Sequence, residues 1–248
     1  MDMTQSSQLP AQRYTEVTVP LEEFQSNEPE RLVEEAVPPT IDEVGTFVFV
    51  WFHNQKAMLA SIHHMHRKAL QFAEAARWEK SGPYIPLGIR AGPLLCVALS
   101  AVAIIRDAAD GKETERNITR GERRACYRMA RGISKMLQHL SKSATELCLG
   151  KAHLVKAELL SLQRKRRRHN ECLRLYKIAI GLSTAANHLL DQALANECTA
   201  NFLLQSDEQH DRMEGIDFLD QAMDAYSQWG AVAKASRLQE RLDRLRGR

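Results

Sequence analysis

The sequence predicts an all-α protein, and three observations indicate this fold class. The 155 residues after Pro93 contain no proline, which is typical of long helices joined by short turns, because proline inside a helix removes a hydrogen bond and clashes with the preceding turn. Apolar residues recur at helical spacing along this stretch, and turn-forming residues interrupt it where the spacing resets. With 44% hydrophobic residues among 248, the chain can bury a core as one large domain or two small ones.

The first 45 residues differ from the rest in charge and proline content. They carry ten acidic and two basic side chains, which leaves 21 acidic and 32 basic side chains for the remainder. Five of the eight prolines also lie there, and low hydrophobicity with high charge disfavours a packed core. We therefore predict an acidic, irregular lead-in over residues 1–45 and a helical repeat domain over residues 46–248.

Nine helices are predicted within the helical domain. The segment Phe47–Phe52 has aromatic and β-branched residues that would suit a strand, but no partner strand is predicted, so it is assigned to a helix. The apolar run from Ala91 to Ile105 has 15 residues, fewer than the ~20 that cross a bilayer, so we predict a buried helix and no membrane span. The nine predicted helices lie near residues 46–61, 65–80, 87–109, 115–140, 144–164, 170–186, 189–205, 211–229 and 231–246.

The last helices have the clearest apolar stripes. Leu219, Ala222, Met223, Tyr226 and Trp229 share one helical face, and Ala235, Leu238, Leu242 and Leu245 share a face of the next helix. The cations Lys234, Arg237, Arg241 and Arg244 fall on other faces of that last helix. If Trp229 belongs to the core, Trp229→Ala is expected to cost ~3 to 5 kcal/mol.

A repeat of about 40 residues is visible along the chain. Glu158 precedes Glu197 by 39 residues, and Ala179 precedes Ala222 by 43. Two-helix units of this length are typical of α-solenoids, in which each hairpin buries its apolar face against the next. The sequence predicts an α-solenoid of about four and a half helix hairpins.

Three segments carry a resemblance to a known family. They are Ala193-x-Ala195-Asn196-Glu197, Asn201-Phe202-Leu203 and Ala222-x-x-x-Tyr226-x-x-Trp229-Gly230-Ala231-x-Ala233-Lys234. This pattern resembles the tetratricopeptide-like helical region of large signalling proteins that combine a nucleotide-binding ATPase module with kinase, sensor or cyclase domains. Its structural signature residues are Ala179, Ala195, Phe202, Ala222, Tyr226, Trp229 and Gly230.

The resemblance covers about four fifths of the chain, in weaker form as far back as Phe47. It implies an intracellular scaffold or sensory arm that transmits partner or ligand binding to an attached catalytic domain. The chain departs from the pattern at two turns without glycine, at residues 164–169 and 205–208.

Motifs for catalysis and cofactor binding are missing from the sequence. It contains no G-x-x-x-x-G-K-[ST] phosphate loop and no G-x-G-x-x-G, H-E-x-x-H or G-x-S-x-G motif. The five cysteines lie 22 to 30 residues apart, never as C-x-x-C, which suits reduced thiols in the cytoplasm rather than a disulfide framework. We therefore predict a cytoplasmic protein that is not an enzyme and has no cofactor.

The sequence His63-His64-Met65-His66 concentrates imidazoles at the turn of the first hairpin. His63 and His66 lie three residues apart and could offer two neighbouring ligands, but two ligands do not make a metal site, and no nearby carboxylate or cysteine supplies the others. We expect an exposed turn and no metal.

A basic run, Arg164, Lys165, Arg166, Arg167 and Arg168, is a candidate partner-binding segment. Five consecutive cations cannot be buried, so they form a solvated turn with a strong local field. Three roles remain open for this run: a plain loop, a contact with a protein or import receptor, and nucleic-acid binding. The last is the least favoured, since no aromatic residue follows closely enough to stack on bases.

Polar signature residues form the other candidate partner-binding set: Glu158, Asn196 and Glu197. Such residues either line the concave groove of a solenoid or pair with neighbouring turns. Pairing within the protein is the stronger interpretation, because Tyr226 beside them lies on the core stripe.

Two functions remain open after these observations. The first is a protein-binding module that couples partner or ligand binding to an ATPase, kinase or cyclase domain. The alternative is a basic helical-repeat adaptor that acts in the nucleus on protein or RNA partners and is localised by the run Arg164–Arg168.

Overall fold

The computed structural model describes residues 41–76, 87–110, 118–163 and 168–247. These residues form helices joined by short turns, and no strand occurs among them, so the all-α prediction is confirmed. The helices are α1 Ile41–Ile62, α2 His66–Ala75, α3 Leu87–Asp110, α4 Arg120–Leu140, α5 Thr145–Ser161, α6 His169–Ala185, α7 Leu189–Leu203, α8 Gln209–Trp229 and α9 Val232–Arg246.

Most predicted bounds lie within three residues of those observed. The exceptions are the start of α1, which begins at Ile41 and is kinked at Gly45, where φ is 74° and ψ is 161°, the end of α2 at Ala75 and the start of α4 at Arg120. The segment Phe47–Phe52 is helical, and Val50 and Phe52 are buried. Predictions for residues 1–40, which cover most of the acidic lead-in, and for residues 77–86, 111–117 and 164–167 lie outside the described residues.

Helix α3 lies at the centre of the core. It packs against α1, α2, α4 and α5, and residues Leu94 to Val97 are at most 2% exposed. Within the described residues it is the helix whose length and composition would also suit a membrane crossing, but 72% of its most apolar window is buried inside the protein. Its apolar character is accounted for by these core contacts, and the predicted absence of a membrane span stays a prediction.

The helices pack in an orderly series. Each helix contacts the next one in the chain, and further contacts join α1 to α3, α3 to α5 and α5 to α7. One continuous apolar cluster runs from Ala57 on α1 to Leu242 on α9. Alanines within it, such as Ala179, Ala195 and Ala222, are fully buried and let neighbouring helices approach closely.

Two glycines are required by the geometry around α8. Gly230 ends the helix with φ of 95°, and the Ala231 amide donates to the Tyr226 carbonyl at 2.9 Å, the usual left-handed helix ending. Within α8, a Cβ at Gly215 would lie 3.1 Å from both Leu203 Cβ and Leu204 Cγ. Glycine therefore allows α8 to lie directly against the end of α7.

Trp229 is less buried than its place on the predicted stripe suggested. It packs against the core but is only half-buried, because it stands at the last residue of α8, beside the turn. The loss of ~3 to 5 kcal/mol expected for Trp229→Ala assumed full burial, so about 2 kcal/mol is the better expectation for the area that this ring buries.

Candidate functional site

A buried carboxylate on α7 joins three other elements. Glu197 is 4% exposed. Its Oε1 accepts a hydrogen bond from Lys234 Nζ at 2.7 Å, and its Oε2 accepts one from the Tyr226 hydroxyl at 2.8 Å. His64 Nε2, from the turn between α1 and α2, lies 3.0 Å from Oε1. The Glu197 network therefore links the first helix pair to α7, α8 and α9.

A second buried carboxylate, on α5, has the same kinds of partner. Glu158 is 2% exposed. Its Oε1 accepts from the Tyr176 hydroxyl at 2.6 Å, and its Oε2 accepts from Arg106 Nη2 at 2.7 Å. Arg106 Nη2 also donates to Ser161 Oγ at 2.9 Å. The Glu158 network thus ties α3, α5 and α6 together.

The two networks share one plan. In each, the carboxylate lies on one helix, a tyrosine from the next helix donates to one of its oxygens, and a cation from a helix two positions away in the chain donates to the other. A buried carboxylate is tolerated when its charge is paired and its remaining oxygen is hydrogen-bonded. Both networks meet these two conditions, and their carboxylates, Glu158 and Glu197, lie 39 residues apart.

The charge states in both networks follow from the same balance of burial and pairing. Burial raises the pKa of Glu197, but Lys234 and His64 outweigh it and hold that pKa well below its usual range. Burial lowers the pKa of Arg106, and Glu158 more than reverses the effect. Burial and the adjacent carboxylates raise the pKa of Tyr176 and of Tyr226. At neutral pH Glu197 and Arg106 are charged, and the tyrosines remain hydrogen-bond donors.

His64 has an unusual backbone and two competing partners. Its φ is 62°, a left-handed conformation that is uncommon outside glycine. Its Nε2 lies 2.8 Å from Lys234 Nζ as well as 3.0 Å from Glu197 Oε1. One ring nitrogen either accepts from the lysine or donates to the carboxylate, so the protonation of Nε2 decides which partner it binds.

His66 is held in one tautomer by a chain of hydroxyl groups. Ser61 Oγ donates to the Cys96 carbonyl at 3.0 Å, and Ser100 Oγ donates to Ser61 Oγ at 2.9 Å. Ser100 Oγ can therefore only accept from His66 Nδ1, which lies 3.3 Å away, and Nε2 keeps its lone pair. Burial, with smaller contributions from His64 and Lys234, lowers the pKa of His66 to about 3, so the ring is neutral.

A polar cavity lies beside these groups. Its volume is about 530 Å³, within the range of small-molecule sites. It opens between the α1–α2 turn, α3, the end of α7 and α9. The residues that line it are His64, His66, Ala103, Arg106, Asp107, Asn201, Leu204, Gln205 and Arg241.

The predicted partner-binding residues that the structure describes are buried or half-buried. Glu158, Asn196 and Glu197 are all buried, at 2%, 0% and 4% exposure, so the two carboxylates meet the protein's own cations. Neither side-chain polar atom of Asn196 has a hydrogen-bond partner among the described residues. Arg168 is half-buried beside the start of α6, while residues 164–167 lie outside the described part of the chain. A role for these residues in partner binding stays a prediction.

The signature residues lie mostly in the core. Ala179, Ala195, Ala222 and Tyr226 are 0% exposed. Phe202 and Trp229 are half-buried against the core, and Gly230 forms the turn after α8.

Several residues of the site were not predicted from sequence. Lys234 was placed off the core face, which is wrong, because it is 2% exposed and paired with Glu197. Arg106, which directly follows the apolar run Ala91–Ile105, and Arg241, on another face of the last helix, were not predicted as site residues. The signal for Lys234 was its position between Ala233 and Ala235, two small residues that admit a neighbouring helix.

The histidine-rich turn was expected to be exposed. The turn lies where predicted, but only His64 among its imidazoles is exposed, while His63 is 6% exposed and His66 half-buried. Within the described ranges, no three His, Cys, Asp or Glu side chains are grouped as metal ligands.

Helix α4 presents a basic surface that the sequence reading did not single out. Its core face is formed by Cys126, Ala130, Ile133 and Leu137. On the outer side the exposed Tyr127 lies among exposed cations. These cations are Arg120, Arg123, Arg124, Arg128, Arg131 and Lys135.

Comparison with known proteins identifies no relative: no protein-family model, no curated protein and no solved structure matches this chain.

Proposed function

We propose that this chain is a non-catalytic, tetratricopeptide-like interaction module. In this proposal the α-solenoid consists of four hairpins, α1/α2, α3/α4, α5/α6 and α7/α8, followed by α9 as half of a fifth hairpin. The observation that carries the proposal is the repeated unit of carboxylate, tyrosine and cation around Glu158 and Glu197. The carboxylates recur after 39 residues and the tyrosines after 50, while the cation precedes the carboxylate in one network and follows it in the other. Recurrence of the same carboxylate–tyrosine contact is what stacked hairpins of one design produce.

The helix contacts support the same proposal. In a solenoid of hairpins, the first helix of each pair touches the first helix of the next pair, as well as its own partner. The contacts of α1 with α3, α3 with α5 and α5 with α7 follow this pattern. The contact of His64 with α7 and α9 departs from it, because a repeat of an extended solenoid touches only its neighbours.

The module acts by binding, and its chemistry favours that role over catalysis. Burial raises the pKa of Cys96 to about 12 and that of Cys172 to about 11, and a thiol needs a low pKa to act as a nucleophile. By contrast, the cavity beside the Glu197 network joins the first helix pair to the last helices. A ligand there would contact both the first and the last helices that line the cavity, which is what a signalling module requires. We propose that this response is passed to an ATPase, kinase or cyclase domain in the cytoplasm.

Affinity purification of the tagged full chain from its own cells, followed by mass spectrometry, tests this function. Recovery of an ATPase, kinase or cyclase domain is expected, including one carried on a longer form of the same polypeptide. An Arg241→Ala variant should alter the yield of that partner, while Arg244→Ala, exposed on the same helix, should not. Recovery of import receptors and RNA-bound proteins without such an enzyme would contradict the proposal.

The alternative is a nuclear adaptor for protein or RNA partners, and the basic outer side of α4 favours it. Six exposed cations around an exposed tyrosine are a common footprint for an anionic partner. Replacement of Arg166, Arg167 and Arg168 by serine should abolish nuclear accumulation under this alternative, as seen by fluorescence microscopy. An unchanged cytoplasmic distribution supports the signalling module instead.

A further inference from the structure

The cavity between the α1–α2 turn, α3, α7 and α9 has hydrogen-bonding groups that the protein itself does not use. Arg106 binds its protein partners through Nη2 alone, so the donors on Nη1 and Nε have no partner among the described residues. Arg241 makes no hydrogen bond or ion pair with a described residue, although it is half-buried. Two guanidinium groups with donors that no described residue uses therefore line one cavity.

The charges near the cavity show where an anion would be held. Glu158 neutralises Arg106, and Glu197 neutralises Lys234. Arg241 bonds no carboxylate among the described residues, although the exposed Asp107 lines the same cavity; burial lowers the pKa of Arg241 and Glu197 acts in the opposite direction. Arginine stays charged under all ordinary conditions, so a partly desolvated guanidinium with no bonded carboxylate gains most from an incoming oxyanion. Planar guanidinium donors match phosphate and carboxylate oxygens.

Other lining groups provide for a second, uncharged part of a ligand. His66 is neutral with Nε2 as an acceptor, because the Ser100 hydroxyl occupies its Nδ1 proton. Asp107 is exposed on the lining and accepts hydrogen bonds. The amides of Asn201 and Gln205, one helical turn apart, have no hydrogen-bond partner among the described residues. Hydrogen-bond acceptors and amide groups of this kind can bond the hydroxyl groups of a ligand.

We propose that this cavity binds a sugar phosphate, free or as part of a nucleotide, with its phosphate on Arg241 and Arg106 and its hydroxyl groups on His66 and Asp107. The volume of about 530 Å³ accommodates a ligand of this size. The inference names the ligand of the interaction module and rests on the proposed function for its role in signalling. The binding itself is a property of the isolated chain.

The bound ligand would also contact His64, which lines the same cavity and pairs with Glu197 and Lys234. Nε2 of His64 lies within hydrogen-bond distance of both Glu197 Oε1 and Lys234 Nζ, so a ligand group that contacts this ring changes which of the two it bonds. Ligand binding thereby acts directly on the contact that joins the first helix pair to α9.

Titration calorimetry of the full chain with ribose 5-phosphate, inorganic phosphate and ribose tests the site. Ribose 5-phosphate should bind more tightly than inorganic phosphate, and ribose alone should not bind. Arg241→Ala should weaken both anions about tenfold or more, the loss of a charge-assisted hydrogen bond. Arg244→Ala is the matched control, because Arg244 is exposed and its one bond to a described residue is with the Glu240 carbonyl on its own helix. This variant should bind as the wild type does.

His66→Asn tests the contact with the ligand's hydroxyl groups separately from the contact with its phosphate. Asparagine retains a donor where Nδ1 stands and has no group where Nε2 stands, so ribose 5-phosphate should bind less tightly while inorganic phosphate is unaffected. Proton–carbon NMR of the nine histidines should show shifts at His64 and His66 on binding. Calorimetry with AMP distinguishes a nucleotide from a free sugar phosphate as the ligand. Tighter binding of AMP than of ribose 5-phosphate indicates a nucleotide, and weaker binding indicates a free sugar phosphate.

Absence of ribose 5-phosphate binding at millimolar concentration overturns the proposal. Equal affinity of wild type and Arg241→Ala also overturns it, as do histidine shifts that spare His64 and His66. These outcomes are independent of the partners recovered from cells, so failure of the site and failure of the proposed signalling function are distinguishable.

Discussion

Individual residues in this protein gain their importance from burial. Glu158, Glu197 and Lys234 are charged side chains at 2%, 4% and 2% exposure. A paired buried ion contributes little net stability compared with an apolar residue of the same shape, but loss of one member leaves an uncompensated charge. The networks therefore define which helices meet, and single substitutions in them are severe.

Lys234→Met is expected to cost ~3 to 5 kcal/mol at neutral pH, because Glu197 then stays buried without its main cation. In the wild type the pKa of Glu197 is depressed, so its contribution is present above the unfolded value of 4.5 and is lost as the pH falls toward the folded value. In Lys234→Met the lysine no longer offsets burial, which raises the pKa of Glu197, so the loss of stability should shrink as the pH falls from 7 to 5.

Urea unfolding of wild type and Lys234→Met at several pH values measures how the stability loss of the variant changes with pH. The double variant Glu197→Gln with Lys234→Met is the control, since it removes both charges and should recover part of the loss. An equal loss for Lys234→Met at pH 5 and pH 7 would show that Glu197 is not the group left unpaired.

Tyr176→Phe and Tyr226→Phe should each cost ~1.5 to 3 kcal/mol, the value of a hydrogen bond to a charged group. Each substitution removes a hydroxyl that donates to a buried carboxylate and leaves the ring in place. Tyr127→Phe is the control, because Tyr127 is 39% exposed and should change nothing. A clear difference between the two buried variants in thermal unfolding would argue against one repeated packing unit.

At the scale of elements, the helices are defined by local sequence and their contacts by small residues. The absence of proline after Pro93 and the apolar spacing predicted the number and the type of the elements between residues 118 and 247, and both are confirmed. The strand-like composition of Phe47–Phe52 did not decide its structure, because tertiary packing overrides a weak propensity. The close pair α7 and α8 depends on Gly215, which no periodicity indicates.

Gly215→Ala should destabilise the protein by ~1 to 3 kcal/mol, because the added Cβ lies 3.1 Å from Leu203 Cβ and the helices have to separate. Gly181→Ala is the matched comparison. Gly181 is exposed inside α6 with no atom within 4 Å of an added Cβ, so this change should stabilise by up to ~1 kcal/mol through helix propensity. Thermal unfolding should show that Gly215→Ala lowers the stability and Gly181→Ala raises it. A stabilising Gly215→Ala would contradict the close approach of α7 and α8.

At the scale of the whole molecule, one small contact joins the two ends of the helical series. His64 lies 133 residues from Glu197 and 170 from Lys234 along the chain. Its left-handed backbone costs free energy, and its contacts hold it in place. This contact places residues from both ends of the helical series, His64 and Arg241, on the lining of one cavity.

His64→Gly should release this tie without backbone strain, since glycine adopts positive φ freely. Hydrogen exchange is expected to accelerate at the α1–α2 turn and in α9, and to stay unchanged in α5. Asn187→Gly is the control, because Asn187 also has positive φ, at 54°, and lies in the turn between α6 and α7. Unchanged exchange in α9 of His64→Gly would show that the tie does not hold the two ends together.

The sequence by itself determined the helical content, the places of the turns and the approximate helix bounds after residue 118, because helical spacing, proline and turn residues act over a few neighbouring positions. It also indicated that Glu158 and Glu197 are equivalent. The tertiary structure alone decided that Arg106, Lys234 and His64 are their partners and that Arg241 borders a cavity. Helical spacing tells which side of a helix faces inward, but the helix that lies opposite is chosen by packing across the whole chain.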